Sequence, residues 1–484
     1  MTPSASERDG AGEPRTAAAA GQGQRAGAAP VDVLVVGGGL AGLVTGFWAS
    51  RLDPSARVVV LEAAARAGGK ASTVEVDGFA VDTGPGTLSL EPEATAPLLE
   101  ALGLAGEALD PATDVGRRYL VRNGRLVPVP SGPGGFLASP LLPWPAKAWA
   151  LLEPTRPPAT GDETVHDFLA RRFGPGVARV FGEALVSGVA AGDPRDLSVA
   201  ALFPQLKALE ARAGSLIRGM AAARRAGAPP RRTVALRGGM RRLHEALAYA
   251  LGARLVTGAE AASLRTRGGV YEVASLDGRT WTARSVVLAT PAYVTARLLE
   301  DTAPEAARLL GEVPYAPVDV VALGYRREDV PPLAGFGFVA PRGQGVRSLG
   351  VIYASAIAPG LAPEGHVLLR AIAGGALDPG FADLEAGDKV EAVRADVRAA
   401  LGVTAEPVVA HVASWPRGIP QYRLGHLERL AAAEADLARL PGVRLAGDAY
   451  RGLGVVDRLR EGLRVARELT AGRAAAPTGA SPPG

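Results

Sequence analysis

The sequence predicts an α/β fold that contains a Rossmann-like dinucleotide-binding domain. Three observations lead to this prediction. The apolar run Val31–Val36 leads directly into a turn with three spaced glycines. A second apolar run, residues 57–61, ends at the acidic residue Glu62. The chain of 484 residues is also too long for one small core, so we expect two or three domains.

The first strand, turn and helix are predicted by composition and spacing. Val31–Val36 has the length and β-branched residues of a buried parallel strand, and Leu40–Leu52 has helical composition. Gly37, Gly39 and Gly42 form a G-x-G-x-x-G pattern. The first glycine permits a tight turn, the second lets backbone approach a pyrophosphate, and the third lets the helix pack on the strand. The N–H groups at the helix start then face the phosphates.

The acidic residue that ends the second strand completes the pattern. Glu62 stands twenty residues after Gly42. In a dinucleotide-binding unit, an acidic side chain at this distance accepts hydrogen bonds from ribose hydroxyls. The strand, glycines, helix, second strand and acid together predict a dinucleotide site.

The composition excludes several other chemistries. The chain has no cysteine, which excludes disulfides, a thiolate nucleophile and cysteine-ligated metal centres. Its five histidines are scattered without paired ligand spacing, so we expect no metal site. The net charge of +4 is small for this length. We expect the basic cluster of Arg224, Arg225, Arg231 and Arg232 to lie on a surface loop and the protein not to bind nucleic acid.

Both ends of the chain have the composition of disordered tails. Residues 1–30 are rich in alanine, glycine, serine and proline and lack the apolar core of a signal peptide. Residues 473–484 have a similar composition. No window of eighteen uninterrupted apolar residues is present, so no simple membrane-spanning helix is predicted. We expect a cytoplasmic protein, with contact to a membrane surface left open.

The segment after the second strand indicates which dinucleotide binds. Arg66, Gly69 and Lys70 follow Glu62 in the arrangement E-x(3)-R-x-G-G-K. Paired glycines let the chain pass close to a bulky ligand, and the cations can neutralise phosphate charge. The arrangement resembles the signature of flavin enzymes of the amine oxidase, phytoene desaturase and protoporphyrinogen oxidase superfamily. The resemblance implies FAD as the cofactor. It extends to Gly84, in a D-x-G-P segment that runs beside the isoalloxazine in that superfamily.

Two later segments are similar to the same superfamily. Residues 252–264 precede a strand that ends at Ala289-Thr290-Pro291. The resemblance implies that Ala261 presents backbone to the adenine and that Thr290 lies behind the cofactor. Near the C-terminus, Asp448 would bond to ribityl or pyrophosphate groups, and a helix from Val455 would point its N-terminus at the flavin. No second G-x-G-x-x-G motif is present, which favours oxygen or a quinone over NAD(P)H as the electron partner.

The middle of the chain narrows the resemblance to the protoporphyrinogen oxidase family. Residues 162–206, 117–130, 236–247, 313–329, 335–341 and 415–430 are similar to that family in order and in spacing. The resemblance implies six-electron oxidation of protoporphyrinogen IX to protoporphyrin IX, with oxygen reoxidising FAD. Oxidation of coproporphyrinogen III and a non-catalytic FAD-binding porphyrin carrier are the alternatives. Amine oxidation and carotenoid desaturation are more distant ones.

The same resemblance implies residues for the substrate. Gly188 matches a glycine that lies against the macrocycle, with helix–helix packing as the alternative. Arg118 matches an arginine that anchors a propionate, as a guanidinium can do in bidentate fashion. The apolar residues that sandwich the ring correspond to Phe338, Ile352 and Ile372, which could equally be plain sheet core. The chain departs from the usual pattern at residues 86–88, at Leu453 and at Arg458, where valine and cysteine are usual for the last two.

The resemblance also implies a domain organisation. Residues 31–105, 231–298 and 426–472 would form the FAD-binding domain, residues 106–230 a helical insert, and residues 299–425 a mixed-sheet substrate domain. Within the insert, residues 133–154 combine tryptophans, leucines and prolines, which suits either docking on a bilayer or a buried interdomain loop. Formation of a homodimer is left open.

Overall fold

The computed structural model describes residue 23, residues 29–227 and residues 232–475. The predicted tails therefore lie mostly outside the described residues. At the C-terminal end the last helix, Val455–Ala475, continues beyond the predicted start of the tail at residue 473. Arg473 explains the difference, because its guanidinium forms ion pairs with Asp32 and Asp53 and so ties the last turn to the domain.

The first sheet contains the predicted dinucleotide-binding strands. Val31–Val36 lies at its centre and pairs in parallel with a neighbour on each side. All six residues of this strand are buried, as its apolar composition predicts. Among the described residues the sheet has seven strands, in the order Leu255–Val256, Val58–Leu61, Val31–Val36, Thr280–Leu288, Val270–Ser275 and Ala261–Arg267, with Val443–Leu445 also paired to Thr280–Leu288.

Helices cover both faces of the first sheet. Val33 and Val35 pack into one core with the helices Leu40–Leu52, Arg241–Leu251 and Val455–Ala475. Leu34 and Val36 face the opposite core, which contains the helices Ala292–Leu299, Pro304–Gly311 and His426–Leu437. Parallel strands need such cover, because successive side chains point to opposite faces and both sets are apolar. The predicted α/β fold class is confirmed.

The second sheet is antiparallel except for one parallel pair. The helix Ala386–Leu401 packs on one face through Val393 and Val397. The other face borders a cavity. Among the described residues this sheet has seven strands, in the order Val409–Pro420, Tyr315–Arg326, His366–Gly374, Gly350–Ile352, Gly337–Val339, Arg118–Arg122 and Arg125–Pro128.

Two strands of the second sheet lie within residues 106–230, which the sequence assigned to a helical insert. Arg118–Arg122 and Arg125–Pro128 form a hairpin around Asn123 and Gly124, whose φ angles are 50° and 70°. An Asn-Gly pair favours this left-handed turn, so the sequence did carry a local signal for the hairpin. The remaining helices of this segment are Pro133–Ala138, Trp144–Leu151, Val165–Phe173, Pro175–Ser187, Val199–Leu202, Pro204–Ala213 and Leu216–Arg225.

Smaller elements connect the two sheets. Thr73–Val76 pairs with Phe79–Asp82, and Arg232–Leu236 pairs with Leu88–Leu90 and Ala108–Leu109. Thr95–Ala101 and Ala354–Ile357 are short α-helices. Single 3-10 turns occur at Ala105–Glu107, Glu153–Thr155, Gly252–Arg254, Arg327–Asp329 and Pro379–Phe381. The connections bring residues 82–87 between the two sheets, where two cavities adjoin.

Candidate active site

The glycine-rich turn shows a different need for each glycine. Gly37 has a φ of +110°, and a Cβ there would lie 2.6 Å from the carbonyl oxygen of Ala289. A Cβ at Gly42 would lie 1.9 Å from the carbonyl oxygen of Gly37. At Gly39, in contrast, no atom lies within 4 Å of the Cβ position. Packing of the protein itself therefore requires Gly37 and Gly42, whereas Gly39 leaves open space that a ligand can fill.

Glu62 reaches back from the end of Val58–Leu61 to this turn. One carboxylate oxygen, Oε2, accepts a hydrogen bond from the N–H of Gly38 at 2.7 Å. The other, Oε1, accepts one from the N–H of Ala64 at 2.8 Å. These bonds fix the carboxylate at the edge of the first cavity, and each oxygen retains a lone pair for a ribose hydroxyl.

The first cavity has a volume of about 360 Å³ and lies at the carboxyl ends of the parallel strands. Residues that directly follow the strands, such as Gly37, Glu62 and Ala289, line it. This is where open α/β sheets bind their ligands. The cavity brings together eight of the residues predicted to bind the cofactor: Gly37, Gly39, Glu62, Gly69, Lys70, Ala261, Thr290 and Asp448.

Four residues predicted to bind the cofactor lie elsewhere. Gly84 and Val455 line the second cavity. Gly42 packs against the glycine-rich turn. Arg66 is exposed and lines neither cavity. The contact between this segment and the glycine-rich turn is made by backbone, since the N–H of Gly68 donates to the carbonyl oxygen of Gly38. The side chain of Arg66 takes no part in this contact and points to solvent.

Four residues line both cavities: Lys70, Pro85, Asp448 and Arg458. We call this region the junction. Nζ of Lys70 lies 3.6 Å from Oδ2 of Asp448 and donates to the carbonyl oxygen of Gly418 at 2.6 Å. Nη2 of Arg458 donates to the same Oδ2 at 3.4 Å. Burial lowers the pKa of Lys70; Asp448 opposes this shift, and Arg458 adds to it.

A buried carboxyl group supports the turn that carries Asp448. Oε2 of Glu461, one turn along the last helix from Arg458, accepts the N–H of Gly447 at 2.9 Å. Its other oxygen is buried without a hydrogen-bond partner. Burial raises the pKa of Glu461 to about 7, although the Gly447 bond and nearby arginines act in the opposite direction. Sequence reasoning missed Glu461, because its spacing from Gly447 carries no known motif.

The second cavity, of about 410 Å³, lies over the open face of the second sheet. Strand register places Arg118 opposite Gly337, Gly337 opposite Ile352, and Ile352 opposite Arg370. Paired residues project to the same face, and all four line the cavity. At a strand spacing of about 4.8 Å, the two arginines stand about 14 Å apart across the sheet. A glycine and an isoleucine separate them, so the floor between the cations is apolar.

The other predicted substrate residues occupy two different environments. Ile352 and Ile372 are half-buried and line the second cavity. Phe338 borders it too, but its side chain packs in the core under the sheet and meets Tyr353 at a ring distance of 6.5 Å. Of the two roles that the sequence left open for Phe338, the structure places its side chain in the sheet core. Gly188 is exposed after the helix Pro175–Ser187, with no atom within 4 Å of its Cβ position.

Arg370 is a cavity residue that sequence reasoning missed. It is only 5% exposed, and its Nη1 donates to the carbonyl oxygens of Asp82, at 3.1 Å, and of Gly84. Its Nε is buried without a partner, and Oδ2 of Asp82 lies 4.0 Å from Nη1. Trp415 adds a bond from Nε1 to the carbonyl oxygen of Thr83 at 2.8 Å. Two strands of the second sheet therefore bind the 82–85 loop, one through Arg370 and one through Trp415. The sequence could not predict these contacts, because they depend on how distant segments pair.

The residues present fit FAD. The first N–H groups of the helix Leu40–Leu52 have no acceptor within the helix, Gly39 leaves an open position beside them, and Glu62 offers acceptors for ribose. The first cavity then meets a second, mostly apolar cavity at the junction, so a redox group held in one can contact a substrate in the other. This combination defines the class of FAD-dependent oxidoreductases.

Comparison with known proteins agrees with this class. Residues 40–470 match the family of flavin containing amine oxidoreductases. The chain belongs to that family, is an FAD-dependent oxidoreductase, and has FAD as its cofactor. The resemblance to protoporphyrinogen oxidases that the sequence predicted is confirmed by relatives of that name.

Three similar proteins represent the wider set of matches. The chloroplastic protoporphyrinogen oxidase of Oryza sativa subsp. japonica is 33% identical over 88% of this chain and 85% of its own. The coproporphyrinogen III oxidase of Bacillus subtilis is 30% identical over 89% of this chain and 96% of its own. A crystal structure from Exiguobacterium sp. 255-15, named as a candidate protoporphyrinogen oxidase, has a TM-score of 0.80 and 26% identity, covering 92% of this chain and all of that one.

The segment 133–154, predicted either to dock on a membrane or to be a buried interdomain loop, is buried in one part and exposed in another. Leu141 and Leu142 are buried against Leu120 of the second sheet. Trp144 is 68% exposed, and Leu151 and Leu152 are each more than half exposed. Among the described residues, no helix combines the length and apolarity required to cross a bilayer.

Proposed function

We propose that this protein oxidises protoporphyrinogen IX to protoporphyrin IX in tetrapyrrole biosynthesis, with FAD as cofactor and oxygen as the terminal acceptor. The observation that carries the proposal is the second cavity, in which an apolar floor with a cation at its edge adjoins the first cavity at the junction. An apolar macrocycle with propionate groups has the complementary chemistry. The names of the relatives support the same substrate class.

The overall reaction removes six electrons and six protons from the macrocycle. Three rounds suffice, and in each round one oxygen molecule takes up two electrons and two protons as hydrogen peroxide. When bound, FAD supplies the two-electron acceptor that the side chains lack. Arg118 would bind a propionate, and Ile352 and Ile372 would orient the ring over the junction. Pyrrole N–H protons are labile, so the absence of histidine from the described lining of the cavity suits this chemistry.

The charge of the second cavity supports an anionic substrate. Its described lining contains four cationic side chains and one carboxylate: Lys70, Arg118, Arg370, Arg458 and Asp448. The lining therefore has a formal charge of +3, and Asp82, which lies 4.0 Å from Arg370, offsets one of these charges. The remaining positive surplus favours a ligand with two carboxylates over a neutral or cationic ligand. Amines are protonated at neutral pH, so the same charge disfavours them.

The decisive experiment mixes the FAD-loaded protein anaerobically with protoporphyrinogen IX. We expect loss of the yellow flavin absorbance, followed in air by porphyrin fluorescence and hydrogen peroxide. Coproporphyrinogen III serves as the competing substrate, and faster oxidation of it would replace the proposed substrate. Flavin that stays oxidised with both porphyrinogens would refute the proposal and favour a non-catalytic carrier.

The anchoring role of Arg118 has a matched control. Arg118→Ala should raise the KM for protoporphyrinogen IX about tenfold or more, because a charge-assisted hydrogen bond contributes about 1.5–3 kcal/mol. Arg125→Ala, on the neighbouring strand and outside the cavity lining, should leave the KM unchanged. FAD content should be unchanged in both variants. An unaltered KM in Arg118→Ala would remove Arg118 from the site.

We further propose that the protein contacts a membrane surface through the exposed side chains of residues 144–152. Trp144, Leu151 and Leu152 are each more than half exposed, and Trp144 and Leu151 stand seven residues apart on the helix Trp144–Leu151, so they project from the same side of it. Exposed tryptophan and leucine side chains suit the bilayer interface. Flotation with liposomes should carry the protein upward, and Trp144→Ser combined with Leu152→Ser should weaken this binding. Wild-type protein that stays at the bottom would contradict the proposal. The cytoplasmic location and a homodimer stay predictions from the sequence.

A further inference from the structure

The junction carries more positive than negative charge. Lys70 and Arg458 both line the two cavities there, and both face one carboxylate oxygen, Oδ2 of Asp448. Asp448 is the one carboxylate within 4.0 Å of either cation among the described residues. The side chains of Asp448 and Arg458 are each 18% exposed, so water screens this charge only in part. The three groups therefore keep a surplus of one positive charge.

Neighbouring groups do not remove this surplus. Glu461 lies one helical turn from Arg458, but it binds the N–H of Gly447, and burial favours its neutral form. Asp457 accepts the N–H of Gly454 and pairs with Arg460 on the outer side of the helix. Tyr422 donates its hydroxyl to the carbonyl oxygen of Asp448 and contributes no negative charge.

The position of Arg458 is also unfavourable within its own helix. It stands in the first turn of Val455–Ala475, where the helix dipole is positive and disfavours a cation. A guanidinium held at such a place, part-buried and facing two cavities, is stabilised when an anion arrives between them.

We propose that Arg458, together with Lys70, stabilises the negative charge that the bound cofactor gains on reduction, and so raises its reduction potential. The inference rests on the proposed function, in which FAD takes electrons from a substrate in the second cavity. Two electrons and one proton added to a neutral acceptor leave one negative charge. A redox group that contacts both cavities would lie at the junction, and Lys70 and Arg458 would then stand beside the charge that it gains.

The test measures the two-electron reduction potential of the FAD-loaded full chain against a reference dye, without any porphyrinogen. Arg458→Gln should shift the reduction equilibrium roughly tenfold toward the oxidised form, as expected for loss of a unit charge at up to about 10 Å in a part-buried site. This corresponds to a potential about 30 mV lower. Arg458→Lys keeps the positive charge and should therefore have a potential close to that of the wild type. Arg467→Gln, an exposed residue of the same helix, removes the same charge outside the cavities and should leave the potential unchanged.

Each result has one meaning. A lower potential in Arg458→Gln that Arg458→Lys reverses supports the proposal. Equal potentials in all four proteins overturn it. A raised KM for protoporphyrinogen IX with an unchanged potential also overturns it, and would assign Arg458 to a substrate carboxylate. If Arg458→Gln loses FAD, Arg458→Met is measured in its place. The potential of this variant should also be lower than that of the wild type, and an unchanged potential would overturn the proposal. Because no porphyrinogen is present, failure of the proposed oxidation leaves the potential measurement intact.

Discussion

The buried carboxyl group of Glu461 makes the stability of the cofactor-binding domain depend on pH. Its pKa is about 7 in the folded protein against an ordinary value of 4.5, with burial as the main cause. Between these two values the folded chain binds a proton that the unfolded chain has released. The stabilising contribution of the neutral carboxyl is therefore complete below pH about 4.5 and is lost as the pH rises through about 7.

The magnitude follows from the difference in pKa. A difference of about 2.5 pH units corresponds to about 3 kcal/mol of unfolding free energy. Glu461→Gln keeps an acceptor for the N–H of Gly447 but cannot ionise. Its stability relative to wild type should therefore increase by about 2.5 kcal/mol between pH 5 and pH 8, because part of the effect is already lost at pH 5. For a chain of this length, that change raises Tm by about 3 °C.

The assay is thermal unfolding of both FAD-loaded proteins at pH 5 and at pH 8. The quantity that decides is the change in their Tm difference between the two pH values, because other titrating groups cancel. Arg467→Gln, on the exposed side of the same helix, is the control and should show no such change, because an arginine does not titrate between these pH values. If the Tm difference between Glu461→Gln and wild type is the same at both pH values, Glu461 is not held neutral and the reasoning fails.

Three further substitutions test the site and its support. Gly42→Ala should prevent folding or FAD retention, because its Cβ would lie 1.9 Å from a backbone oxygen. Gly39→Ala should fold with the wild-type circular dichroism spectrum, because no protein atom lies near its Cβ, and should lose FAD affinity. Gly188→Ala should keep its Tm and FAD content, since nothing lies within 4 Å of the new Cβ, and lose turnover; unchanged turnover would separate Gly188 from the substrate. Arg370→Met should lower the unfolding free energy by about 3 kcal/mol, because it leaves the buried Asp82 without its cation, and a denaturant titration that finds less than about 1 kcal/mol would contradict the ion pair.

The parts of the site that sequence reasoning predicted are those encoded by neighbouring residues. The strand Val31–Val36, the three glycines and Glu62 stand in fixed spacing, so backbone geometry alone brings them together. The start of the last helix at Val455 was predicted for the same reason. Arg66 shows the limit of this approach, because a motif position gives no side-chain direction and its side chain is exposed.

The parts that were missed depend on pairing between distant segments. Arg370 reaches the cavity because Ile352 aligns it with Gly337 and Arg118, and its backbone partners lie nearly 290 residues earlier. Phe338 turns into the core because it neighbours Gly337 on the same strand and so faces the other way. The sequence of a single strand gives neither its register with the neighbouring strands nor the face of the sheet to which each side chain points. The Asn123-Gly124 pair, in contrast, is a local signal for the hairpin that carries Arg118.

The last helix has a consequence for synthesis of the chain. Val455–Ala475 packs in one core with Leu40–Leu52, so the beginning and end of the polypeptide share the same domain. During translation, more than 400 residues are added after the first strand before the last helix is synthesised. Until then, the apolar side chains that pack against the last helix are exposed. Deletion of this helix should therefore yield aggregated protein that does not bind FAD.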